Sequence, residues 1–158
     1  MSGRVFPGFA GPSSLLFLLA FSVTGSVVAQ NDAIPAPQDR GRVAEAYVNA
    51  RLAVWQQRLS LQDWKITIIM SHPSDLKPKT LGNIHWDSDQ KSAVIRVLDA
   101  SDYKLPYKAM LDDMEFTVVH ELIHLELASL PRSEASRRDE EHAVNRITDA
   151  LLKLDRSK

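Results

Sequence analysis

His120-Glu121-Leu122-Ile123-His124 places two imidazoles four residues apart, with a carboxylate beside the first. On a helix, positions i and i+4 share one face, so both rings can reach a single metal ion. The glutamate projects next to that face, where it can take a proton from a water and pass it to a leaving group. Zinc lowers the pKa of a water it holds toward about 7 and polarises a substrate carbonyl. The pattern lies in FTVVHELIHLELASL, the most apolar helical stretch of the chain. Two histidines and a glutamate without partners would be costly to bury there, and a metal offsets that cost. The plainer alternative is that backbone carbonyls and neighbouring side chains satisfy all three.

A catalytic zinc needs a third protein ligand and an open fourth position. The chain has no cysteine, so the ligands must be histidine and carboxylate. Candidates occur in Asp139-Glu140-Glu141-His142. On a helix, Glu140 and Glu141 lie one turn before Val144, on the inward side, whereas His142 falls with Arg146 and Asp149 on a polar face. The geometry favours a glutamate over His142 without deciding between the two. An ordinary first-turn acid stabilised by the helix dipole is the competing role.

The elements that must position these groups follow from periodicity. Val48, Leu52, Trp55 and Leu59 form one stripe of a helix over 41–59, with Arg51, Gln56 and Arg58 toward water. Residues 65–70 alternate as a strand, with Ile66, Ile68 and Met70 on one face. Further strands are expected at 81–86 and 92–98, joined by a turn short enough for an antiparallel hairpin. Pro106 can open a short helix or sit in a loop. Asp112 and Glu115 have capping-box spacing for the motif helix, and Pro131 stops it. Ser136 and Asp139 can cap a last helix at about 137–153, with Val144, Ile147, Leu151 and Leu154 as its apolar stripe. The expected fold is α+β: a small, mostly antiparallel three-stranded sheet packed on the active-site helix, between an N-terminal and a C-terminal helix.

The opening stretch, MSGRVFPGFAGPSSLLFLLAFSVTGSVVAQ, has Arg4 as its sole charge, an apolar core from Leu15 to Val23, and compact residues Val27 and Ala29 before Gln30. It reads as a secretory signal peptide over 1–29. The longer apolar run from Leu15 to Ala29 is about 15 residues, short of the roughly 20 that a membrane span needs. No stable membrane association is expected after cleavage, and the protein is expected to be secreted or periplasmic. Residues 30–40 hold two prolines and read as a flexible lead-in, leaving 41–158 as one domain. A net charge of -1, with no run of like charges, gives no surface for nucleic acid.

VVHELIHLEL resembles the active-site helix of the zincin superfamily of metallopeptidases, specifically the small phage-type and IrrE-like, minimal gluzincin-like domains. EEHAVNRITDALL is similar to the E-x-x-A-N helix of the IrrE-like group. LQDWKITI, LGNIHWD and AVIRVLD are similar to the preceding strands, so the likeness covers about 60–154. It implies zinc-dependent peptide hydrolysis of a peptide or protein substrate. The glutamate before the A-N pair is the third ligand there, which selects Glu141 when joined to the helical geometry. Leu127 and Leu130 stand where metzincins carry a glycine and a third histidine, which excludes that branch. IrrE-like proteins are usually intracellular, unlike a chain with a signal peptide. SprT-like domains use a histidine as third ligand, which would be His142.

The expected site is therefore Zn2+ held by His120, His124 and Glu141, with Glu121 as general base. Tyr103, Tyr107, His85 and His142 are candidates for stabilising the oxyanion. The alternatives are an inert zinc-containing binding module, which should show four protein ligands, and a cell-wall amidase using the same site.

Overall fold

The computed structural model describes residues 34–131, 133 and 136–157. The signal-peptide segment 1–29 and the start of the lead-in lie outside the described residues. The described residues form three α-helices, α1 (Arg40–Arg58), α2 (Tyr107–Glu126) and α3 (Arg137–Arg156), and a sheet of β1 (Lys65–Ser71), β2 (Gly82–Asp87) and β3 (Ser92–Leu98). The fold is α+β, with helices at both ends of the chain.

The sheet order is β1-β3-β2. The β2–β3 hairpin is antiparallel, with Gly82 opposite Val97 and Asp87 opposite Ser92. The Asp87 carboxylate accepts the Asp89 and Gln90 N–H groups and so fixes its turn. β1 joins the other side of β3 in parallel, from Lys65 and Ser92 to Ser71 and Leu98, so the sheet is mixed. The parallel half follows from residues 72–81, which carry the chain from β1 to the far edge before the hairpin returns between them. Leu76 is buried and pins that crossing. β2 is thereby an edge strand.

α2 packs against both other helices and against β2 and β3. Its Met114, Val118, Val119 and Leu122 are fully buried, with Val48 of α1 and Ile95 and Val97 of β3. The helix begins at Tyr107 with Pro106 as its N-cap, so Asp112 lies inside it and is not a cap. Proline fixes the entry dihedral, and its missing N–H costs nothing at a helix start. The helix also stops before Pro131, tightening to a 3-10 turn over Leu127–Ser129.

Glu115, expected as the second half of a capping box, is buried and ties α1 to α2. It accepts hydrogen bonds from Tyr47 Oη at 2.9 Å, Arg51 Nε at 2.6 Å and Trp55 Nε1 at 2.8 Å. Arg51 also reaches Asp155 of α3 at 2.6 Å, where Arg58 pairs at 2.7 Å. Arg51 is thus a clasp across three helices and does not simply face water. Gln56 is likewise occupied, donating to the Leu61 and Trp64 carbonyls. Removing one member of a buried charged network strands its partners. Glu115→Ala is expected to destabilise the fold by about 3 kcal/mol in urea denaturation. A loss under about 1 kcal/mol would show the network to be dispensable.

α3 buries Val144, Thr148 and Leu152, whereas Ile147 and Leu154 are exposed. The inward stripe is therefore rotated by about one residue from the expected one. That rotation brings Glu140 and Glu141 to α2 at one end and Asp155 to Arg51 at the other. Ser136 occupies the N-cap position, but its hydroxyl bonds with Ser133 and not with the helix. Among the described residues, no helix is long and apolar enough to cross a membrane.

Candidate metal centre and active-site cleft

His120 and His124 lie on one face of α2, with Nε2 atoms 3.1 Å apart. Glu141 of α3 reaches both: Oε2 is 3.4 Å from His120 Nε2, and Oε1 is 3.4 Å from His124 Nε2. The three side chains form a group able to hold one metal ion. Tetrahedral zinc with bonds near 2.05 Å sets neighbouring donors about 3.3 Å apart. The two imidazole nitrogens are close to that spacing, and Glu141 meets each of them through a different carboxylate oxygen; taken with one donor atom per residue, the three groups lie within 4.8 Å of one another. Burial, and next the neighbouring His124, lower the His120 pKa, while Glu141 opposes them. The neutral imidazole, which can coordinate, is thereby favoured.

Glu140 and Glu141 are adjacent in sequence but do different work. Glu140 Oε1 lies 3.0 Å from His124 Nδ1, and both side chains are largely buried. A carboxylate there favours a proton on Nδ1 and turns the Nε2 lone pair toward Glu141 and His120. Glu140 is thus placed to orient His124, whereas Glu141, which reaches both rings, is the carboxylate that could serve as a third ligand. His142 is exposed and outside the group.

Glu121 is 7% exposed on the wall of the same cleft. Burial, and next the charge of Glu141, push its carboxyl up to about 7, with Lys77 opposing. A dication held by the adjacent ligands would draw it back down. The cleft has a volume of about 880 Å³ between α2, the N-terminal part of α3, β2 and the crossing segment. Gly82 lets β2 approach α2: a Cβ there would collide with the Thr117 methyl and the Arg96 carbonyl oxygen, close to Glu121. Glycine is the residue that fits where strand and helix come this close.

None of the four residues expected to stabilise an oxyanion lines this cleft. His85 is exposed and borders a separate shallow hollow over β2 and β3. Tyr103 donates to Asp113 at 2.9 Å. Tyr107 packs against the core at the start of α2, and His142 is turned outward. The polar groups that do line it include Lys77, Asn83, Asp113, Arg137 and Asn145. Their periodicity gave no sign of this, since the crossing segment and the rotation of α3 bring them in. Comparison with known protein families, curated proteins and solved structures finds no match to this chain.

Proposed function

We propose that the chain is a zinc-dependent peptidase, secreted or periplasmic, that hydrolyses peptide bonds with Glu121 as general base. The observation that carries this reading is the convergence of one donor atom each from His120, His124 and Glu141 to within 4.8 Å, beside Glu121 and open to a cleft. A structural zinc site would close its fourth corner with protein. Among the described residues the group has three members, which favours catalysis over an inert module.

His120, His124 and Glu141 would hold zinc, which when bound supplies a Lewis acid for the scissile carbonyl and lowers the pKa of the attacking water. Glu121 accepts that water's proton as the new C–O bond forms. It then delivers the proton to the departing amine as the C–N bond breaks, so the base is regenerated within one turnover. β2 offers an unpaired strand edge along the cleft, onto which an extended peptide can add with main-chain hydrogen bonds. That edge favours a peptide over a cell-wall amide.

The test is hydrolysis of a mixed peptide library by the protein lacking residues 1–29. Cleavage is expected, lost on chelation and restored by about one equivalent of zinc. Cleavage that survives full chelation would reject a metal-dependent mechanism.

A further inference from the structure

The acidic residues on the first half of α2 differ in how their charge is met. Asp112 pairs with Lys108 and Arg156, and Glu115 with Arg51. Asp113 lies on the cleft wall, and among the described residues no cation pairs with it. Its Oδ2 accepts the Tyr103 hydroxyl at 2.9 Å, a neutral partner that fixes the carboxylate without neutralising it. Burial, and next the charge of Asp113, hold the Tyr103 pKa well above its usual value, so the phenol stays a donor.

The surroundings suit a long basic side chain. Ile84, Trp86 and Phe116 line the cleft along with Asp113 and supply apolar wall for an alkyl stem. Asp113, Thr117, His120 and Glu121 follow one another along one face of α2. Seven residues of helix separate Asp113 from His120, about 10 Å along the axis. An extended peptide covers that span in about three residues. Lys77, Lys79 and Arg137 also line the cleft, and the charge of Lys77 reaches Glu121.

We infer that Asp113, oriented by Tyr103, is a specificity-determining residue that selects substrates carrying lysine or arginine within about three residues of the scissile bond. The inference rests on the peptidase reading for its meaning but can be measured without turnover. The probes are blocked alanine-rich heptapeptides with a single lysine at each position in turn, each matched by a norleucine peptide. Binding is measured by calorimetry on zinc-loaded Glu121→Gln protein, and hydrolysis of the same peptides on the wild type. At one position lysine is expected to bind about tenfold tighter than norleucine. Asp113→Asn should bring that ratio to about one, and Tyr103→Phe should reduce it in part.

Equal binding of the two peptides at every position would overturn the inference, as would a lysine preference undiminished in Asp113→Asn. If Asp113→Asn does not fold, the wild-type preference and its reduction in Tyr103→Phe decide the matter. A lysine preference that depends on Asp113, without hydrolysis of any peptide by the wild type, would reject the peptidase reading and leave the basic subsite standing.

Discussion

Glu121→Gln is expected to keep its zinc and to lose turnover by about 10³-fold to 10⁴-fold. Glutamine has nearly the shape of glutamate and can still hydrogen-bond a water, but it cannot take a proton. Glu121 is absent from the three-membered ligand group, so the metal should remain. Its carboxylate is buried at the cleft wall with no competing hydrogen bond from a described side chain, as suits a group reserved for water and substrate. Steady-state hydrolysis of any cleaved peptide, with zinc content measured on the same sample, checks both halves. Activity within about tenfold of wild type would remove Glu121 from the chemistry.

The second large effect concerns the adjacent glutamates. Outer-shell substitutions typically cost about 10-fold to 100-fold in metal affinity, and loss of a ligand costs more. Glu140→Ala should fall in that range, because His124 Nδ1 loses an acceptor while all three ligands remain. Glu140→Gln should recover part of the loss, since its amide oxygen can still accept from Nδ1. Glu141→Ala and His120→Ala should each weaken zinc further, beyond about 100-fold. Competition with a chromophoric chelator gives these affinities. If Glu140→Ala weakened zinc more than Glu141→Ala, the two roles would be exchanged.

Much of this fold could be read from residue pattern. The pattern marked β3 at Ser92–Leu98 with no shift, β1 within one residue at its end, and β2 one residue early at both ends. Period-two burial is a strong signal when one face packs on a helix. Less legible was anything set by partners distant in sequence. Arg51 reads as a solvated charge until Glu115 and Asp155 come to it from 64 and 104 residues away. Thr148 reads as polar, yet it is fully buried, and its inclusion turns the α3 stripe by one position. That turn is also what separates Glu140 from Glu141, a distinction helical spacing alone left open.

The cleft shows the same division. His120, Glu121 and His124 share a local spacing that one helix enforces, so the sequence carries their relation directly. Lys77, Asp113 and Asn145 meet only because residues 72–81 cross to the sheet edge and α3 folds back on α2. No local pattern marks such residues. The four oxyanion candidates lie off the cleft for the same reason: residue type is legible in the sequence, but which elements face the cleft is not.

The most direct test of the central claim is zinc content per chain, on protein lacking residues 1–29, for wild type and His120→Ala after identical metal-replete refolding. About one zinc in wild type and almost none in His120→Ala is the predicted result. No zinc in a folded wild type would contradict it and leave His120, His124 and Glu141 as a hydrogen-bonded polar cluster between two helices.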